Sequence, residues 1–258
     1  MHSLETKKNT SPVAIVTGST SCIGRNIAEA LYRDGFSVVF NGRTDNALET
    51  IVSDKVPERT LAVKGDVSDS DFSVKLVKKV LEKYGRIDVL VCNVGSGSSV
   101  SPGDETYSEW QKMLALNFFS TTNMVEASKE ALKASSGSVV CISSICGLEI
   151  IPGAPLTYSV SKAALNAYIR GIARPLGEIG VRINGIAPGN INFVGSVWEK
   201  KLKNTPESVK QMLSKEVALK RLGAPSDITS LVLWLVSKDA SFATGAVFTL
   251  DGGQVKGF

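Results

Sequence analysis

Tyr158 and Lys162 stand four residues apart in Tyr158-Ser159-Val160-Ser161-Lys162, a spacing that stacks two side chains on one face of a helix. A phenol titrates near about 10 and must be brought down before it works as an acid or base near neutrality. An ammonium one turn away, or another positive charge close by, stabilises phenolate. The pair is therefore suited to moving a proton. Taken alone, Tyr-x-x-x-Lys also occurs on ordinary helices as a surface pair. Fourteen residues before Tyr158, however, Ser143-Ser144 closes an apolar run. A hydroxyl at a strand end can hydrogen-bond a substrate oxygen and stabilise developing alkoxide charge. Side chains alternate faces along a strand, so only one of the two serines is expected to reach a pocket. A Ser-His-Asp nucleophile is not expected, because the single histidine, His2, falls in the N-terminal tail.

A second constellation is Thr17-Gly18-Ser19-Thr20-Ser21-Cys22-Ile23-Gly24, between an apolar run and a helical pattern. Glycines there permit a tight turn and close approach of the backbone to phosphate, and the helix N-terminus faces negative charge. Any strand-to-helix turn can be glycine-rich; position inside a βαβ unit is what gives this one weight.

Together these motifs resemble the short-chain dehydrogenase/reductase family over nearly the whole chain, with similarity to its 3-oxoacyl-carrier-protein reductase branch. The family turn T-G-x-x-x-G-x-G is matched by Thr17, Gly18 and Gly24, with Cys22 replacing the middle glycine. If that position needs φ > 0, a Cβ costs energy. A thiol with a lowered pKa at a helix N-terminus is the alternative reading of Cys22. The resemblance implies that Gly18, Ser19, Thr20, Ser21, Ile23 and Gly24 hold the pyrophosphate of a nicotinamide dinucleotide. Asp66 and Val67, after Gly65, would hold the adenine. Asn93 and Gly95, in Cys92-Asn93-Val94-Gly95, would line the ribose and support the sheet. Pro188 and Gly189 would lie under the nicotinamide, with Ile191 at its carboxamide. Lys162 would contact ribose hydroxyls beside Tyr158. A serine three residues before a glycine selects Ser144, with Gly147 as that glycine. Asn117, in Leu116-Asn117-Phe118, would hold a water in a proton relay to Lys162. Leu250-Asp251-Gly252-Gly253 resembles a structural closing motif.

The implied reaction is reversible hydride transfer between a nicotinamide cofactor and a carbonyl or secondary alcohol, with Tyr158 as general acid/base. The alternative is a nucleotide-binding regulatory or scaffolding protein of the same fold without turnover. NADP is expected ahead of NAD, with NAD use possible. By the family pattern, the carboxylate that selects NAD would stand at Gly42, while Arg43 next to it offers a planar fork suited to a 2′-phosphate. Asn41 could add a neutral donor. Against this, Ser21 occupies a place where many NADP users carry a second basic residue, and Arg43 could instead stack on adenine.

The elements that must position these residues read as strands alternating with helices. Val13–Val16, Phe36–Phe40, Leu61–Val63, Val89–Cys92, Ser138–Ile142, Arg182–Ile186 and Val247–Leu250 are apolar runs of strand length. Helical patterning covers Ile23 to Leu31 (with Gly35 as its stop), Phe72–Lys83, Tyr107–Leu132 and Tyr158–Leu176. The fold class expected is α/β, a Rossmann-like doubly wound parallel sheet with helices on both faces. A flexible tail over residues 1–11 would precede a single domain over residues 12–258. Residues 189–220, polar and helix-prone at Pro206–Glu216, interrupt the pattern after a strand's carboxyl end, which suggests a substrate flap. Phe193, Val197, Trp198, Leu202, Met212 and Leu213 are its candidate substrate contacts, or simply its anchors to the core.

With 258 residues, 43% hydrophobic and 21% charged, the chain can bury a sizeable core. Its net charge of +4 is spread over scattered lysine pairs, which argues against nucleic acid. No apolar stretch reaches the eighteen or so residues of a membrane span, and no secretory signal is evident. Cys22, Cys92, Cys141 and Cys146 form no C-x-x-C pair, so no metal site is expected and reduced thiols in the cytoplasm are. The partner expected is a small-molecule carbonyl or alcohol. A homo-oligomer, tetramer ahead of dimer, is expected through the helices around Met113–Leu132 and Ser159–Leu176, where Ala163, Ala164 and Ala167 allow close approach.

Overall fold

The computed structural model describes residues 11–256; apart from Ser11, the expected tail and His2 lie outside them. Seven strands, β1 Val13–Val16, β2 Ser37–Gly42, β3 Thr60–Lys64, β4 Val89–Cys92, β5 Ser138–Ile142, β6 Arg182–Pro188 and β7 Val247–Leu250, form one sheet in the order β3-β2-β1-β4-β5-β6-β7. Every neighbouring pair is parallel. This is the Rossmann-like, doubly wound arrangement expected from the alternating pattern.

The apolar runs are continuous because both faces of the sheet are covered. Val13 and Ile15 join one core with Val39, Leu76, Val80, Leu132, Leu165 and Ile169. Ala14 and Val16, pointing the other way, join Phe40, Ile27, Leu31, Leu48, Ile228 and Val232. The first core belongs to helices α3 Ser70–Tyr84, α5 Ser120–Ser135 and α6 Leu156–Glu178. The second belongs to α1 Cys22–Arg33, α2 Asp45–Val52 and α9 Pro225–Val236.

Three departures from the sequence reading bear on function. Tyr107–Leu132 is not one helix: α4 Tyr107–Leu114 passes through a π turn, Ala115–Phe119, before α5 begins. That turn carries Asn117, and π turns recur at functional positions. The segment after β6 holds two helices, α7 Val197–Asn204 and α8 Pro206–Glu216, where only the second was expected. Ser196 starts α7 by accepting the Glu199 N–H, a cap any short serine-led helix uses. Finally, α2 and α9 were missed; α9 is apolar nearly all round, which blurs the helical period. Among the described residues no helix is long and apolar enough to cross a membrane.

Candidate active site

A cleft of about 640 Å³ opens at the carboxyl ends of the strands, where ligands bind in open α/β sheets. Gly18, Thr20, Ser21, Cys22, Ile23 and Gly24 line it from the first turn, and Arg43, Asp66 and Val67 from the ends of β2 and β3. Asn93 and Gly95 line it from β4, Ser144 from β5, Tyr158 and Lys162 from α6, and Pro188, Gly189 and Ile191 from β6. Two expected members lie behind this wall. Ser19 is fully buried: its N–H donates to the Asn41 carbonyl, and its hydroxyl accepts from the Asn41 N–H. Asn117 is fully buried as well.

The first turn takes its shape from side chains remote in sequence. Asn93 Nδ2 donates to the carbonyls of Thr17 and Gly18, and Thr17 Oγ1 accepts from the Asn93 N–H at 3.0 Å. Asn41 donates to the carbonyls of Val63 and Gly65 while Oδ1 accepts from the Gly18 N–H. Both of its N–H bonds are thus committed to backbone, which removes Asn41 as the neutral phosphate donor suggested by the sequence. Cys22 sits at φ +53°, the left-handed region that the glycine pattern anticipates. Its Sγ reaches the Val194 carbonyl at 4.0 Å, joining the turn to the segment before α7.

At the end of β2 nothing carries a carboxylate. A Cβ on Gly42 would lie 2.4 Å from Thr20 Cγ2, so a side chain there needs Thr20 to move. Arg43 is exposed and faces Asp66, with Nη1 to Oδ2 at 3.8 Å. Asp66 Oδ1 accepts from both the N–H and the hydroxyl of Ser68.

At the chemical end both serines border the cleft, but only Ser144 has a hydroxyl proton left for it. Ser143 Oγ donates to Asn166 Oδ1 at 2.6 Å, inside the protein. Ser144 Oγ accepts the Cys146 N–H at 3.1 Å, which leaves its own proton free, and it lines the same cleft as the Tyr158 phenol. Lys162 is 3% exposed; its ammonium donates to the Ile142 carbonyl at 2.8 Å, with two further N–H bonds available to the cleft. Burial pulls Lys162 down to about 8. Burial also pushes Tyr158 up to about 12, opposed by the Ser144 hydrogen bond. Desolvation sets the direction for the phenol, and Lys162 Nζ stands 5.9 Å from its ring centroid.

Asn117 is tied into the loop after β4. Its Oδ1 accepts the Ser96 N–H at 2.9 Å, and its Nδ2 donates to the carbonyls of Ser96 and Met113. Both amide protons are committed, so the side chain fastens the loop after β4, and a relay water there would be held through an acceptor oxygen of the residue. A Cβ on Gly95 would lie 2.8 Å from Asn117 Oδ1 and 3.1 Å from Lys162 Nζ, so that loop threads between the two. Of the expected substrate contacts on residues 189–220, Phe193 and Val197 line the cleft and Trp198, Leu202, Met212 and Leu213 do not. Trp198 lies under Lys201, whose Nζ is 4.6 Å from the ring centroid.

A family model described as enoyl-(acyl carrier protein) reductase matches residues 18–254. The chain belongs to the short-chain dehydrogenase/reductase family. Among curated relatives of this dehydrogenase/reductase, glucose 1-dehydrogenase 2 of Bacillus subtilis is 32% identical over 254 residues, covering 96% of each chain. A 3-oxoacyl-(acyl-carrier-protein) reductase of Chlamydia muridarum is 33% identical over 245 residues, covering 93% of this chain and 96% of its own. L-sorbose reductase of Gluconobacter frateurii, solved with NADPH and L-sorbose, superposes with a TM-score of 0.89 at 25% identity, covering 96% and 98%. Like these relatives, the dehydrogenase/reductase is an oxidoreductase acting between CH–OH and C=O groups. Sequence reasoning missed Asn41 and Asn166 as organisers of this site; both act through partners distant along the chain, and no local spacing signals that.

Proposed function

We propose that the protein is an NADP-preferring carbonyl reductase/alcohol dehydrogenase in which Ser144 and Tyr158 act on one substrate oxygen while Lys162 holds the cofactor ribose. The observation that carries this reading is the convergence of these three side chains, from two elements, on one wall of a dinucleotide-sized cleft. The two spare N–H bonds of a nearly buried ammonium suit ribose hydroxyls, and the carboxylate-free end of β2 beside Arg43 suits a 2′-phosphate. The nicotinamide, when bound, supplies or accepts the hydride. In reduction Tyr158 Oη gives its proton to the carbonyl oxygen as the C–O bond becomes an alcohol, and the phenolate is then reprotonated from solvent. Ser144 Oγ–H donates to the same oxygen as its charge develops. Lys162 holds ribose, and Asn117 keeps the loop after β4 in place. Gly18, Thr20, Ser21, Ile23 and Gly24 cradle pyrophosphate, Asp66 and Val67 the adenine, Asn93 and Gly95 the ribose, and Pro188, Gly189 and Ile191 the nicotinamide; Ser19 serves by shaping the turn.

Residues 12–258 act as one domain in this reading, and residues 189–220 as a flap through which Phe193 and Val197 meet a small carbonyl substrate. Unpaired cysteines fit a cytoplasmic setting. Self-association uses the outer face of α6, where Ala163 and Ala167 are exposed beside Val160.

The test is absorbance at 340 nm over a panel of ketones and alcohols with each cofactor. Tyr158→Phe should lower kcat by about 10²–10⁴ while cofactor still binds; full activity in that variant sinks the mechanism. Arg43→Ala should lose kcat/KM with NADPH only, by about tenfold to a hundredfold for one charged hydrogen bond. Equal loss with NADH, or a wild-type preference for NADH, overturns the cofactor assignment.

A further inference from the structure

Tyr158 and Lys162 occupy successive turns of α6, and the next turn carries Asn166, 2% exposed and outside the proton path described above. Its amide bridges two segments. Ser143 Oγ donates to Oδ1 at 2.6 Å, and Nδ2 donates to the Gly147 carbonyl at 3.0 Å. These partners bracket Ser144, which is held from within the same turn by the Cys146 N–H. One helical turn earlier, Lys162 Nζ donates to the Ile142 carbonyl. The end of β5 is therefore fastened to α6 at residues 142, 143 and 147. The fit at the last point is close: a Cβ on Gly147 would lie 2.6 Å from the Lys162 carbonyl carbon and 2.7 Å from its oxygen.

We propose that Asn166 is a positioning residue, fixing the Ser144 hydroxyl relative to the Tyr158 phenol so that both meet one substrate oxygen. The proposal rests on the reading in which those two groups share that oxygen. A leucine would fill much the same space without a polar group to satisfy, and burying an amide is favourable only where its donors and acceptor are paired. Here Oδ1 and one Nδ2 proton pair with the two segments that flank Ser144. Ser143 thereby acquires a role of its own, as the donor that orients the Asn166 amide. Errors of about 1 Å in such an arrangement cost on the order of a hundredfold in rate.

Asn166→Leu and Ser143→Ala test this on the full-length enzyme, with the second variant informative if the first does not fold. Both should lower kcat, Asn166→Leu by about tenfold to a hundredfold and Ser143→Ala by less, with the Kd for NADPH from fluorescence titration unchanged within about twofold. A drop in Tm with kcat intact would make Asn166 merely structural and overturn the proposal, as would a matching loss of NADPH affinity. A second readout needs no turnover. With tyrosine carbon-13 labelled at Cζ, the Tyr158 resonance is assigned by its loss in Tyr158→Phe and should move when Ser144→Ala removes the neighbouring hydroxyl. Asn166→Leu should reproduce that movement; an unmoved resonance overturns the proposal even if the enzyme's substrate reading fails, and activity in wild type judges that reading separately.

Discussion

At the residue scale, a half-buried phenol and a buried ammonium divide the pH behaviour between them. Tyr158 lies near 12 in the protein alone and stays protonated through the neutral range, ready to donate. Lys162 lies at about 8, so it is the group that titrates within reach of an assay. If its ammonium must meet ribose hydroxyls, kcat/KM for reduction should fall as pH rises through about 8. Lys162→Arg keeps the charge to far higher pH and should abolish that limb in whatever activity remains. A limb that persists in the arginine variant assigns it to another group. For stability the sign runs the other way: Lys162 is depressed on folding, so the cost of burying its charge stands in full below about 8 and fades as pH rises toward the ordinary lysine value of 10.5.

At the scale of elements, the turn from β1 to α1 carries the departure with the clearest energetic consequence. Cys22 holds a left-handed backbone at φ +53°, which disfavours a side chain by about 1–2 kcal/mol. Cys22→Gly should recover about 1 kcal/mol of that and raise Tm by about 2–4 °C for a chain of this size. Because the thiol only bridges to the Val194 carbonyl, the KM for cofactor should hold or fall. A large loss of activity instead would reveal a working thiol. The helix pattern before Asn117 shows the limit of period counting. A π turn shifts the apolar phase by one residue, which a continuous reading from Tyr107 to Leu132 passes over. Asn117 was nonetheless found, because the motif around it is local.

For the whole molecule, the sheet order brings the glycine turn after β1 next to the end of β4, so one cleft collects residues from 18 to 197. On the outside, Val160, Ala163, Ala167 and Gly171 recur at helical spacing on the exposed side of α6, small enough for a second helix to approach closely. Phe119 on the adjoining π turn is also exposed. Sedimentation across protein concentrations should find a homo-oligomer, and Ala167→Arg should shift it toward smaller species. A wild type that stays monomeric at every concentration refutes this face as a contact.

The sequence by itself determined the strands, the parallel α/β class and the Tyr158, Lys162 and glycine-turn motifs. Each is written in neighbouring residues: unbroken apolar runs for strands buried on both faces, and short spacings for groups on one helical turn or one loop. What only the tertiary structure decided involves partners far apart in the chain. Ser143 turns inward because Asn166, 23 residues on, accepts its proton. Asn41 is unavailable to a ligand because Val63 and Gly65 take its amide protons, and Ser19 is buried against that same residue. The phenol's direction of shift was likewise undecided until its packing was known, since desolvation depends on what surrounds the ring and not on the spacing to Lys162. Which groups lose their water, and to which distant partner they turn, is set by packing and not by spacing along the chain.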